Sequence, residues 1–163
     1  LAGPAPEYSW FFRDQYRAVL RAAYLILGDA GRAEEITQEA FVQLLVHWRK
    51  VSRYERPEAW VRRVAIRLAV RASRRDRLRT ALEGQAQARG DAQRPPDVDL
   101  ADALGSLSVR QRACVLLFYV EDRPIAEVAQ ILGISEGSAK THLHRARQRL
   151  ATLLREEVDE DAR

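Results

Sequence analysis

Methionine is absent from the 163 residues, and cysteine occurs once. A single thiol excludes an internal disulfide, and no Cys/His cluster has the spacing of a zinc site. Eight glycines and six prolines are too few for the many turns of an all-β chain, which argues for helices. No apolar run approaches the roughly 18 residues of a membrane span. Leu1 to Glu7 lack the basic start and apolar stretch of a signal peptide. The expectation is a soluble cytoplasmic protein with no metal, no cofactor and no membrane insertion. Leu1 in the initiator's place gives the further expectation of a trimmed native start.

Apolar residues make up 47% of the chain, enough for a packed core and too many for wholesale disorder. The length fits one ordinary domain or two small ones. Net charge is only +4, but the charge is sorted by segment. Between Arg49 and Arg79 stand twelve basic residues against three acidic ones, and nearly all the basic ones are arginines. Arginine suits phosphate better than it suits generic solubility. Glu34, Glu35 and Glu39 crowd the segment before, and Glu156 to Asp161 form an acidic tail. That sorting favours a nucleic-acid surface beside a separate protein-binding surface.

The segment from Glu83 to Asp99 (EGQAQARGDAQRPPDVD) has no aromatic residue and no periodic apolar face. It reads as a flexible linker between two helical domains, residues 1–82 and 100–163, and its Pro95-Pro96 pair breaks any helix there. In the first half, Phe12, Tyr16, Val19, Ala23 and Leu27 recur at helical spacing, with Gly28 closing the segment. Asp29 is placed to cap a second helix whose inward face would be Phe41, Leu44, Leu45 and Trp48. Pro57 suits the first turn of a third helix, with Val61, Val64, Ala65, Leu68 and Ala72 on one side. At about 100° per residue, Arg63, Arg67, Arg71 and Arg74 gather on another side beside Trp60. An arginine stripe ending in an aromatic fits a DNA-facing surface, and a solvated basic face with a half-buried tryptophan fits equally well.

The second half is more specific. Ser108-Val-Arg-Gln111 is a capping-box pattern opening a helix expected to run through Tyr119. A short helix from Ile125 to Leu132 stops at Gly133, and Ser135 caps another. Ala129 is small where two helices cross, and Gly133 permits a left-handed turn. That is helix-turn-helix spacing. Ala139, Leu143, Ala146, Leu150 and Leu153 should pack inward, while Thr141, His144, Arg145 and Gln148 face the opposite way, flanked by Lys140 and Arg147. Such side chains suit phosphates and base edges in a major groove; a plain helical hairpin with a polar exterior is the rival account.

These residues, in this order, resemble the extracytoplasmic-function (ECF) sigma factors of bacterial RNA polymerase, the minimal two-domain form of their family. LSVRQRACVLLFYVEDRPIAEVAQILGISEGSAKTHLHRARQRL is similar to the family's fourth conserved region. GDAGRAEEITQEAFVQLLVHW resembles the core-polymerase-binding helix of its second region, and RPEAWVRRVAIRLAVRASRR the helix that melts and reads the −10 element. The resemblance implies an all-α fold of two small helical domains, and it assigns roles. Glu34, Glu35, Gln38, Glu39 and Phe41 match the helix that docks on core RNA polymerase. Ser52 to Arg56 match the loop that captures a flipped base, with Ser52, Arg53 and Tyr54 expected on the −10 DNA. Trp60, Arg63 and Arg67 match positions that meet the opened strand, and Arg71 and Arg74 of the arginine stripe are expected beside them. Lys140, Thr141, His144 and Arg145 match the −35 recognition helix, with Ser138 and Gln148 expected on the same DNA surface. It also implies control by an anti-sigma factor wedged between the domains. Three positions depart from the family pattern: Arg67 stands for the usual asparagine, Ala139 for valine and Pro124 for serine.

Two rival classes fit less of the chain. Catalysis lacks a site: Cys114 lies in an apolar run, and His142 and His144 diverge by about 200° on a helix and cannot share a metal. His47, beside Trp48, has no evident partner. A stand-alone helix-turn-helix regulator binding duplex DNA as a dimer would account for the second half. It would leave the arginine-tryptophan helix and the acidic helix before it unexplained, and no dimerisation heptad is present.

Overall fold

The structure is a computed structural model that describes the backbone of residues 5–84 and 98–161, and side chains over 5–84 and 102–155. Among the described residues there are helices and turns and no strand. They fall into two compact units, taken here one at a time.

The first unit is three long helices, α1 (Pro6–Leu27), α2 (Ala30–Val51) and α3 (Pro57–Glu83), each packed on the other two. Gly28 ends α1 in the left-handed conformation at φ 65°, which costs a residue with a Cβ roughly 1 kcal/mol or more. Asp29 then caps α2 as its sequence position suggested, its carboxylate accepting from the Arg32 amide at 3.0 Å. Pro57 occupies the first turn of α3, where its missing N–H leaves no bond unmade. The inward face expected for α3 is buried throughout, from Val61 to Ala72.

Two inward faces differ from expectation. On α2, Leu45 is exposed, and Ile36, Thr37 and Ala40 join Phe41 and Leu44 inside. Thr37 is tolerated there because its hydroxyl donates to the Ala33 carbonyl at 2.7 Å. On α1, Tyr8, Phe11, Leu25 and Ile26 are buried, whereas Phe12, Tyr16 and Leu27 are only half-buried. Helix α1 meets two neighbours, so its buried arc is wider than a single-partner stripe.

Glu83 closes α3, with Gly84 as its left-handed cap, and Val98 and Asp99 lie in the next helix. The rest of the segment read as a linker, 85–97, lies outside the described residues.

The second unit comprises α4 (Val98–Gly105), α5 (Val109–Val115), a π-helical turn (Leu116–Val120), α6 (Ile125–Leu132) and α7 (Glu136–Asp161). Both bonds of the capping box are present: the Gln111 amide donates to Ser108 Oγ at 3.2 Å, and the Ser108 amide to Gln111 Oε1 at 3.0 Å. The helix does not continue as an α-helix through Tyr119. After Val115 it loosens, and the Glu121 amide bonds to the Leu116 carbonyl five residues back at 2.9 Å. A turn through Asp122, at φ 52°, leads to α6, whose N-cap Pro124 makes no side-chain cap bond. Ala139, Leu143 and Ala146 of α7 are buried as expected, with Leu150 and Leu153 half-buried.

Gly133 takes φ 65° and ψ 38° at the turn between α6 and α7, and nothing lies within 4 Å of where its Cβ would be. A methyl group there meets no clash, so only the backbone conformation resists it. Gly133→Ala is expected to destabilise the second unit by about 1 kcal/mol. Faster hydrogen exchange at α6 and α7 amides, with α1–α3 unchanged, checks this; unaltered exchange contradicts it.

Candidate nucleic-acid and polymerase interfaces

On the first unit the surface of α2 follows from its core. With Ile36, Ala40, Phe41 and Leu44 turned inward, Glu34, Glu35, Gln38 and Glu39 stand exposed. The ridge continues along the helix with Val42, Leu45 and Val46, which are 61%, 44% and 75% exposed. Three adjacent aliphatic side chains in water beside a carboxylate cluster are the pattern of a protein-docking surface. Sequence reasoning missed this apolar half because it placed Leu45 in the core; the run Val42, Leu45, Val46 at helical spacing was the available signal. Arg32 tempers the acidic end, lying 3.6 Å from Glu35 and pairing with Asp76 of α3.

Phe41 does not belong to that surface, a correction to its expected docking role. It is only 2% exposed and sits at the centre of an aromatic cluster, 4.7 Å edge-on from Phe12 and 6.0 Å from Tyr16. Tyr8, buried enough that its phenol pKa is raised, donates to the Phe41 carbonyl at 2.7 Å. At that burial Phe41 positions α2 and offers almost no surface of its own.

The α2–α3 corner carries Ser52, Arg53 and Tyr54, all exposed. The corner is tied by the Ser52 amide to the Trp48 carbonyl at 2.8 Å and the Tyr54 amide to the Val51 carbonyl at 2.9 Å. Val51 anchors it at 1% exposure. Trp60, one turn into α3, is half-buried with its ring 5.9 Å from that of His47. His47 therefore has a partner after all, and its Nδ1 lies 2.8 Å from the Gln43 carbonyl. Arg67, Arg71 and Arg74 are exposed and Arg63 half-buried along the same side of α3. Guanidinium groups at this spacing match a charged strand, and a half-exposed indole offers a face on which a base can stack.

On the second unit, Ser135 caps α7 by accepting from the Ser138 amide at 3.0 Å. The Ser138 hydroxyl is engaged as well, taking a 2.9 Å bond from Ser135 Oγ. Thr141 donates its hydroxyl to the Gly137 carbonyl at 2.9 Å, which leaves its oxygen free to accept. Lys140, His144, Arg145 and Gln148 are exposed on the outward side. Arg147 is not a bare flanking cation: its Nε donates to the Tyr119 hydroxyl. His142 is half-buried, and burial first, then Arg110 and Arg145, lower its pKa, so it stays neutral at pH 7. Burial pushes the Cys114 thiol up to about 11 against the opposing pull of Arg110, which leaves it protonated and a poor nucleophile. No cluster of three His, Cys, Asp or Glu residues able to hold a metal occurs among the described residues. No described helix is long and apolar enough to cross a membrane.

The contrast between Phe41 and its neighbour is measurable. Phe41→Ala should lower the stability of the first unit by about 3–5 kcal/mol, and Glu39→Ala should leave it within about 0.5 kcal/mol. All three tryptophans lie in this unit, so urea unfolding followed by indole fluorescence reads it. Equal transitions for the two variants would contradict the placement of Phe41.

Comparison with known proteins identifies both halves of the chain. The family description Sigma-70 region 2 matches residues 11–79, and Sigma-70, region 4 matches residues 97–150. The ECF RNA polymerase sigma factor SigL of Mycobacterium tuberculosis is 33% identical over 153 residues, covering 88% of this chain and 86% of its own. The RNA polymerase sigma-E factor of Streptomyces avermitilis is 31% identical over 165 residues, covering 99% and 92%. Among solved structures, the sigma factor RpoE in complex with the anti-sigma factor NepR from Bartonella quintana shares the fold. Its TM-score is 0.71 at 22% identity, over 93% of this chain and 98% of that one. With both regions present in order, the chain belongs to the extracytoplasmic-function RNA polymerase sigma factors, the subunits that bring core RNA polymerase to promoter DNA.

Proposed function

We propose that the three surfaces divide the work of promoter recognition. The α2 ridge of Glu34, Glu35, Gln38 and Glu39, extended by Val42, Leu45 and Val46, docks on core polymerase. Its carboxylates steer it to a basic partner surface, and its aliphatic side chains supply the burial. Ser52, Arg53 and Tyr54 with Trp60, Arg63, Arg67, Arg71 and Arg74 hold the opened −10 strand. Unpairing a base costs a few kcal/mol, and stacking on an aromatic returns about 1–3 kcal/mol per base. The outward side of α7, with Ser138, Lys140, Thr141, His144, Arg145 and Gln148, reads the −35 duplex.

The observation that carries this reading is the presence of an exposed arginine surface on α3 and an exposed basic surface on α7, on two separately packed units. A stand-alone dimeric regulator needs only the second. The chain acts without catalysis of its own, in the cytoplasm where the polymerase is. Control by an anti-sigma factor is supported by the RpoE–NepR complex, and one that covered the α2 ridge would hold the chain inactive.

Run-off transcription with purified core polymerase on a genomic promoter library tests the whole. Specific transcripts that require this chain are expected. Silence, together with tight binding of the chain alone to a palindromic duplex, would replace this reading with a dimeric regulator. Arg145→Ala should reduce output about fivefold or more from −35-dependent promoters, since one bidentate base contact is worth about 1–3 kcal/mol. Unchanged output would remove Arg145 from the readout. Trp60→Ala should leave closed complexes intact while permanganate reactivity of −10 thymines falls; equal reactivity would contradict its place on the strand.

A further inference from the structure

Arg147 lies 70° or so from the centre of the buried arc of α7, by the helical pitch, close enough to that face to meet the π-helical turn. Its guanidinium carbon is 5.5 Å from the centroid of the Tyr119 ring and 5.9 Å from that of Phe118, and its Nε donates to the Tyr119 hydroxyl. The two rings are themselves edge-to-face at 5.0 Å. In a regular α-helix consecutive side chains diverge by about 100°. Here both residues fall within the π-helical turn Leu116–Val120, which opens the helix by one residue per hydrogen bond and lets both rings reach one guanidinium.

We propose that Arg147 is a positioning residue for the recognition helix: with Phe118 and Tyr119 of the π turn it forms a clamp that sets how α7 is presented to DNA. The proposal rests on α7 being the −35 reader. With Nε spent on the phenol and its carbon held over two rings, the guanidinium has its Nε-side fork committed within the protein and not to a phosphate. A cation held over aromatic faces contributes about 0.5–1 kcal/mol where exposed. The start of the fourth turn of α7 is thereby tied to the segment whose buried residues Ala113, Cys114, Leu116 and Leu117 belong to the core of the unit. Lys140, on the same flank two turns earlier, is exposed and serves as the contrasting phosphate contact.

The clamp is tested first without DNA. Hydrogen exchange on the full chain should quicken several-fold at the π turn and the start of the fourth turn of α7 in both Arg147→Ala and Tyr119→Phe, with α1–α3 unaffected. Exchange unchanged in both variants would overturn the clamp. The second arm measures holoenzyme affinity for a −35-bearing promoter across a salt series. Arg147→Ala should weaken binding on the order of fivefold with the slope of log affinity against log salt unchanged. Lys140→Ala should reduce that slope by about one. Tyr119→Phe removes only a hydroxyl, so any weakening it causes should not add to that of Arg147→Ala in the double variant. Arg147→Lys, which keeps the charge and loses the planar fork, should not restore affinity. A slope reduced by one in Arg147→Ala, with Tyr119→Phe silent, would make Arg147 a phosphate contact and overturn the proposal. A wild-type holoenzyme indifferent to the −35 element would count against α7 as the reader, while the exchange arm still decides whether the clamp exists.

Discussion

The arrangement of the first unit depends on burying Phe41. Its ring closes an aromatic cluster with Phe12 and Tyr16, and its carbonyl takes the buried Tyr8 hydroxyl. Burying a phenylalanine is worth about 1.5–3 kcal/mol, and the Tyr8 bond saves a phenol from being buried unsatisfied. Once Phe41 points inward, helical geometry leaves no choice for the rest of α2. Glu35, Gln38, Glu39, Val42, Leu45 and Val46 must point out. The ridge proposed to dock is the complement of the core, which is why Phe41, in the middle of that helix in sequence, is internal in space.

The same coupling shapes the two surfaces proposed to meet DNA. On α3, the buried series from Val61 to Ala72 forces Trp60, Arg67, Arg71 and Arg74 together on the other side. The indole then lies beside the His47 ring from α2, so the proposed stacking platform is held by a rigid helix and not by a loop. On α7, the Ser135 cap and the left-handed Gly133 fix where the helix begins and therefore which residues of its first turns face outward. The three departures from the family pattern follow this logic. Ala139 is fully buried against the unit's core, Pro124 starts α6 through its fixed φ and not a side-chain bond, and Arg67 is exposed among other arginines.

Much of this was legible in the amino-acid order. Asp29, Pro57, Ser108, Gly133 and Ser135 act within a turn of themselves, so capping and turn chemistry could be read from spacing alone. The buried faces of α3 and α7 were equally clear, because each has one dominant apolar stripe. Leu45 was misplaced since α2 carries apolar residues on both sides, and period alone cannot say which side meets the core and which meets a partner. The π turn was invisible for a related reason: its sequence, LLFYV, is as good an α-helix continuation as any, and only contacts made elsewhere favour widening it.

What the sequence by itself determined is therefore the local and the repetitive: where helices begin and end, which unit carries the helix-turn-helix, and the sorting of arginine from glutamate along the chain. The tertiary structure alone decided which of two apolar faces of α2 is buried, that Phe41 is a core residue, that His47 meets Trp60, and that Arg147 is held by Tyr119. The physical reason is range. A cap or turn is settled by hydrogen bonds within four residues, whereas the Tyr8–Phe41 and Arg147–Tyr119 bonds join residues 33 and 28 positions apart. Such pairs exist only after helix packing has brought them together.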